Sequence, residues 1–198
     1  MITTEMLRER INDTDAWNDI ADVLGIDNST AKLSQSDNDD IVIRAFVEGS
    51  IKSRVLRDKL HRYPFPDIIT LGRYSDSDLE YHVGGGLATA MDMSARVGKH
   101  NRTFDSASNV LDFGCGTSRI LRYMIEFLPG PQYYATEVFD KSIEWGRRAF
   151  PEVRYLHQSN HPPLDFPDGK FDIIYSLDIK VIPKISESSP PLDRFARS

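Results

Sequence analysis

The chain has 198 residues, 40% of them hydrophobic and 27% charged, with a formal net charge of −6. That is enough apolar material for one packed domain with an extension, and it argues against wholesale disorder and against general binding to nucleic-acid phosphates. No stretch approaches the ~20 apolar residues of a membrane span, and the opening MITTEMLRERINDTDAW lacks the basic-then-apolar order of a secretory signal.

Residues 1–25 read as helical, with Met6, Leu7, Ile11, Trp17, Ile20, Ala21 and Leu24 at helical spacings and Gly25 as the stop. Residues 28–40 are polar and read as a loop, with Asp39 or Asp40 capping the next helix. That second helical region, over 41–62, carries Ile43, Phe46, Val47, Ile51, Val55, Leu56 and Leu60; Gly49-Ser50 is expected to bend or divide it, and Tyr63-Pro64-Phe65-Pro66 ends it. This front third is a helical extension, either a substrate-side lid or a structural cap.

Residues 75–97 bridge to the core. Asp76, Ser77 and Asp78 are good helix starters, and Gly84-Gly85-Gly86 imply a backbone that turns or stands close to something. The plain alternative is a flexible hinge between two helices.

Residues 109–123, NVLDFGCGTSRILRY, organise the rest. Val110, Leu111 and Phe113 make a short apolar run interrupted by Asp112, as a buried parallel strand would. Gly114, Gly116 and Thr117 form a glycine-rich turn open to a ligand. From Ser118 the period becomes helical, with Ile120, Leu121, Met124, Ile125 and Leu128 on one face. In an open α/β sheet, such a turn lies at the carboxyl end of a strand, where ligands bind. Cys115, the single cysteine, forms no internal disulfide, which fits a reducing, cytoplasmic setting. With no partner base in view, it reads as a small filler rather than a nucleophile.

A second strand over 132–136 ends in Glu137, about twenty residues past the glycine turn, where an acid accepts from ribose hydroxyls in nucleotide-binding folds. Two vicinal hydroxyls need two acceptor oxygens, and a carboxylate supplies both. Asp140 is placed to cap a helix carrying Ile143, Arg147 and Phe150, which Pro151 ends; a third strand covers 153–156. His157 and His161 stand four apart, but the prolines after them oppose a helix and no third ligand is evident, so no metal is expected. A Pro167-Asp168-Gly169 turn then opens into an apolar strand over 171–176.

Two of these strings carry a family resemblance. The hydrophobic-Asp-x-Gly-x-Gly-Thr pattern at Asp112, Gly114, Gly116 and Thr117 resembles motif I of the class I S-adenosylmethionine (SAM)-dependent methyltransferases. FPDGKFDII over 166–174 resembles the LPFPDGSFDLI phrase of the same family, in the right order and at the right distance. A nicotinamide-binding turn would more often read GxGxxG, with glycine where this chain has Arg119, so an NAD-dependent oxidoreductase is the lesser alternative.

The resemblance implies an α/β fold, a Rossmann-like parallel sheet with strands 3-2-1-4 readable out of an order 3-2-1-4-5-7-6. The expected organisation is a helical extension over 1–75, a partial SAM-binding core over 76–178, and a tail over 179–198. That tail is expected to be either disordered or the mark of a truncated or frameshifted product. The implied cofactor contacts are Asp112, Gly114, Cys115, Gly116, Glu137, Val138, Asn160 and His161. Gly114 and Gly116 would give backbone access, and Asp112 would position the loop and the methionine amine. Glu137 would hold the ribose, and Asn160 would accept from the adenine amine. Val138 or Phe139 would pack on the adenine face, unless each is simply a core residue. The segment before motif I would bring Tyr81, His82 and Gly84 toward the methionine end.

The implied activity is methyl transfer to a small-molecule acceptor, with no nucleic acid or membrane partner. A non-catalytic SAM-binding remnant is the other reading. No base is assigned: His82, Tyr175 and Asp178 lie in suggestive places, and each also reads as structural. The fourth strand would be left as an open edge, inviting self-association unless residues 179–185 or the N-terminal helices cover it.

Overall fold

The computed structural model describes residues 1–26, 32–66, 77–99, 103–159 and 164–177. Asn160, His161, Asp178 and the tail from 179 lie outside the described residues.

The single helix expected over 1–25 is two, α1 (Thr4–Asp13) and α2 (Trp17–Leu24). Thr14-Asp15-Ala16 separates them: the Thr14 hydroxyl donates to the Arg10 carbonyl at 2.8 Å, and Asp15 stands at φ 53, a left-handed conformation that a helix does not continue through. Gly25, at φ 64, ends α2 as expected. α3 (Asp39–Lys52) is capped by Asn38, whose side chain accepts from the Asp40 amide at 3.0 Å. Asp39 and Asp40, expected as caps, occupy the first turn, where the helix dipole favours them. Val42, Ala45, Phe46, Gly49 and Ser50 form its buried stripe. The break expected at Gly49-Ser50 is absent. It falls at Ser53, which caps α4 (Arg54–Leu60) by accepting from the Leu56 amide at 3.3 Å. Gly49 instead lets α2 approach, since a Cβ there would lie 3.2 Å from Ile20.

Residues 77–99 are helical throughout: one turn over Ser77–Glu80, a π-helical turn over Tyr81–Gly85, then α5 (Gly86–Lys99). The three glycines are therefore not a hinge. They allow close approach, most tightly at Gly86, where a Cβ would lie 2.5 Å from the backbone oxygen of Arg119.

β1 (Asn109–Phe113), β2 (Gln132–Glu137), β3 (Arg154–His157) and β4 (Ile173–Tyr175) form a parallel sheet in the order β3-β2-β1-β4, the order the resemblance implied. α6 (Leu121–Phe127) joins β1 to β2, and α7 (Asp140–Ala149) joins β2 to β3. α6 starts three residues later than expected because Gly116 and Ser118 both adopt positive φ. α7 is preceded by Phe139 with no side-chain cap, and Asp140 is its first helical residue rather than its cap.

Alternation along the strands puts Val110, Asp112, Tyr133, Ala135, Tyr155 and Tyr175 on one face. Both crossover helices pack there: the Tyr133 hydroxyl donates to the Leu128 carbonyl just past α6 at 2.7 Å, and the Tyr155 ring fills the space over Gly146 of α7. On the other face, Tyr134 meets Phe171 and Phe166, with ring centroids 5.1 and 6.1 Å away. Asp172 ties β4 to the start of β1, its carboxylate accepting from the Ser108 and Asn109 amides at 2.8 and 3.0 Å. β4 is the end strand of the described sheet, and Ile174 is 60% exposed.

Every residue of α6 is buried, charged ones included, because the sheet covers one side and the N-terminal helices the other. Phe46 packs 6.4 Å from Phe127, and His61 lies 5.8 Å from Tyr123. Arg122, with no exposed surface, stacks on Phe65 and donates to the carbonyls of Tyr63 and Pro64 at 2.6 and 3.2 Å. Glu126 pairs with Arg10 at 3.0 Å and accepts from the Arg62 amide at 3.2 Å. Burial and the Arg122 charge hold His61 well below its usual pKa, so it sits there neutral. The extension thus shares one hydrophobic core with the sheet and acts as the cover of α6.

Two glycines test this packing in opposite directions. Gly146→Ala drives a methyl into the Tyr155 ring and is expected to cost about 1–3 kcal/mol. Gly98→Ala, on an exposed turn of α5 with nothing within 4 Å, is expected to stabilise by roughly 0.5–1 kcal/mol. Urea unfolding of both variants against the parent measures the two signs.

Candidate functional site

The glycine turn sits at the carboxyl end of β1 and is held mainly by β2. Gly114 and Gly116 take φ values of 78° and 53°, where a side chain would be strained. The carbonyl of Thr136 accepts both the Gly114 and Cys115 amides at 2.9 Å. One residue later, Glu137 turns its carboxylate onto the same turn. Its Oε2 accepts the Gly116 amide at 2.8 Å, and its Oε1 accepts the Val138 amide at 2.7 Å and the Phe139 amide at 3.3 Å. Glu137 is 8% exposed. The strand-end acid and the bare turn therefore form one hydrogen-bonded unit.

Beyond the glycines, three side chains brace the turn. The buried Thr117 hydroxyl lies 2.6 Å from Nε2 of the buried His82 in the π turn. Ser118, at φ 60, places its hydroxyl 2.6 Å from the Tyr155 hydroxyl. The Arg119 guanidinium lies 4.0 Å from the centroid of the Tyr81 ring. Sequence reasoning names Tyr81 and His82 without partners and misses Tyr155; these contacts join residues 35 or more apart, and no spacing rule reveals them.

Asp112 lies beneath the turn, in register with Tyr175 on β4 and Ala135 on β2. Burial pushes its carboxyl up to about 7, opposed by the Tyr175 hydroxyl and reinforced by the negative charge of Glu137. Tyr175 is itself raised well above the ordinary phenol range, mainly by burial and next by Asp112, so it is held as a protonated phenol. Cys115 is buried with its thiol pushed up by burial and by the neighbouring acids, which leaves it a thiol and not a thiolate nucleophile.

The remaining expected residues are spread more widely. Val138 is half-buried and Phe139 is 44% exposed at the mouth of the turn. His157 ends β3, with Nε2 3.1 Å from the Val138 carbonyl oxygen. Asn160 and His161 fall outside the described residues, as does Asp178. Among the described residues no group of three or more His, Cys, Asp or Glu is arranged to hold a metal ion, and no helix is long and apolar enough to cross a membrane. A groove of about 580 Å³ lies not at the turn but between α5 and the end of β4, lined by Ala88, Thr89, Asp92, Met93, Arg96, Ser176 and Leu177.

The Asp112 carboxyl gives the fold a signed pH dependence. Its pKa is raised in the folded chain from 3.8 to about 7, so between those values the folded chain holds a proton that the unfolded chain has lost. That stabilising contribution is complete below about pH 4, falls by up to about 1.4 kcal/mol per pH unit, and is gone above about pH 7. Asp112→Asn stays neutral at every pH. Its unfolding free energy relative to the parent is therefore expected to rise from pH 4 to 7 and level off above, measured by urea unfolding across that range; a pH-independent difference contradicts the assignment.

A family model described as a methyltransferase domain matches residues 110–189, a span that runs past residue 178, where the core expected from the sequence ends. A comparison with curated proteins finds no match. Among solved structures, the chain is similar to SAM-bound CalS10, an amino pentose methyltransferase from Micromonospora echinaspora, at 21% identity over 55% of this chain and 39% of that one, with a TM-score of 0.37. It is similar to the plantazolicin methyltransferase BpumL in complex with S-adenosylhomocysteine (SAH) at 16% identity over 68% and 46%, TM-score 0.43. A third likeness is PKMT2 from Rickettsia typhi in complex with AdoHcy, at 28% identity over 38% and 15%, TM-score 0.34. The chain spans less than two thirds of the length of each of these structures. The family match spans 80 of the 198 residues, and within it the parallel strand order β3-β2-β1-β4 and the strand–turn–helix that carries the glycines form a Rossmann-like arrangement.

Proposed function

We propose that the chain binds SAM at the glycine turn and transfers its methyl group to a small-molecule acceptor. The observation that carries this reading is the Glu137 carboxylate lying against the Gly116 amide, a single acid joined to a bare backbone at the end of two neighbouring parallel strands. The residues fit the cofactor chemically. Gly116 has no heavy atom nearer than 4.0 Å to the position of an added Cβ, so the turn leaves room for a ligand to reach the main chain. A carboxylate offers about four lone-pair positions. Three are taken by the amides of Gly116, Val138 and Phe139, the last at a long 3.3 Å. Two ribose hydroxyls would use the open position and displace the Phe139 contact. Val138 and Phe139 at the mouth would pack on the adenine, with Asn160 and His161 completing that end.

When bound, SAM supplies an electrophilic methyl carbon on a sulfonium, which an acceptor attacks in line. The protein's part is alignment and proximity. Asp112, poised near neutrality beneath the turn, favours its ionised form when the methionine ammonium and sulfonium charges arrive. Cys115 contributes its small volume and its backbone. A small, uncharged or cationic acceptor suits a chain of net charge −6 better than a phosphate polymer does.

Calorimetric titration with SAH, with NAD⁺ as the comparison, tests the reading. The parent is expected to bind SAH and not NAD⁺. Glu137→Ala is expected to weaken SAH at least about thirtyfold, the loss of charge-assisted hydrogen bonds, with an unchanged circular dichroism spectrum. Parent-like SAH affinity in Glu137→Ala removes the assignment.

A further inference from the structure

The glycine turn is held from two independent directions. From β2 come Thr136 and Glu137, which take the amides of Gly114, Cys115 and Gly116. From the helical segment before β1 comes His82, whose Nε2 lies 2.6 Å from the Thr117 hydroxyl, with both side chains buried. His82 sits in the π-helical turn Tyr81–Gly85, and that turn is itself docked on the strand–turn–helix. The Tyr123 hydroxyl of α6 donates to the Val83 carbonyl at 3.0 Å, the Arg119 guanidinium covers Tyr81, and Gly86 lies against the Arg119 backbone. Gly84, in turn, would bring a Cβ within 3.3 Å of Val47 on α3, so the extension backs the same turn.

The π-helix is rare and occurs mostly as a single turn inside an α-helix, frequently at functional sites. One residue more or less in a helix rotates the part before it by about 100°. In a regular helix through Gly84-Gly85-Gly86, His82 would therefore face another direction than it does here.

We propose that His82 is a positioning residue for the cofactor turn, acting through Thr117, and that the π turn exists to aim it. The inference rests on the proposed SAM-binding reading. His82 fixes the Thr117 side chain, and with it the end of the turn that neither Thr136 nor Glu137 holds.

The test is SAH affinity by calorimetry for His82→Ala, His82→Gln, Thr117→Val and the His82→Ala/Thr117→Val double variant, each checked for a parent-like unfolding transition. His82→Ala and Thr117→Val are each expected to weaken SAH about tenfold, as for a lost buried hydrogen bond. The double variant is expected to be no weaker than either single one, because both remove the same contact. Glutamine carries an amide nitrogen close to where Nε2 stands, so His82→Gln is expected to retain most of the affinity, which a purely space-filling role would not require. Parent-like affinity in His82→Ala, or additive losses in the double variant, overturns the inference. If His82→Ala does not fold, Thr117→Val against Thr117→Ser decides: serine keeps the hydroxyl and must stay near the parent, and equal losses in both overturn it. A parent that does not bind SAH sinks the underlying reading, whereas a parent that binds with unaffected variants sinks this inference alone.

Discussion

Glu137 reaches from the end of β2 to the amide of Gly116, and most of the site depends on that contact. A backbone turn with two glycines at positive φ has little of its own to hold it in one shape. The carboxylate, 8% exposed, supplies a hydrogen bond strengthened by charge. Thr136, one residue earlier, takes the two amides before it. The turn's shape is thus written into a neighbouring strand, and parallel pairing of β1 with β2 makes the register reproducible. The same acid raises its neighbours: Asp112 and Cys115 both feel its negative charge on top of their own burial.

The second constraint is the burial of α6 on all sides. A helix that leads out of a ligand-binding turn usually shows one apolar face to a sheet and the other to water. Here the opposite side carries Arg122 and Glu126 and is covered by the extension. Buried ions of this kind contribute little net stability, because desolvation offsets their attraction. Their effect is on geometry. Arg122 binds the carbonyls of Tyr63 and Pro64, Glu126 takes the Arg62 amide, and the chain leaving α4 is fixed across the back of the helix. The extension is thereby mechanically continuous with the turn, through α6 from behind and through the π turn from the side.

How much of the fold and site is legible in the sequence divides by the range of the interactions. The strand–turn–helix and the strand-end acid come from local patterns, hydrophobic runs broken by glycines and an acid at a fixed distance, whereas the sheet order is what the family resemblance of those patterns implies. The differences are also local, at boundaries where two residue preferences compete. Asp15 splits the first helix because a short acidic side chain tolerates the left-handed region. Gly49-Ser50 stays helical because packing against Ile20 outweighs the glycine's intrinsic cost. Gly84-Gly85-Gly86 suggest a place where the chain either turns or comes close, and only the second holds. The pairings of His82 with Thr117, Ser118 with Tyr155, and Arg122 with the segment after α4 leave no mark in the sequence. Each depends on how separate elements meet in space, and a single sequence carries no periodicity for that.

The most direct test of the turn as a SAM site is hydrogen exchange at the backbone amides of residues 114–118, read by mass spectrometry with saturating SAH, with saturating NAD⁺, and without ligand. Exchange in that segment and around Glu137 is expected to slow with SAH and to stay unchanged with NAD⁺. Protection by NAD⁺ but not by SAH, or SAH protection confined to another part of the molecule, would contradict it.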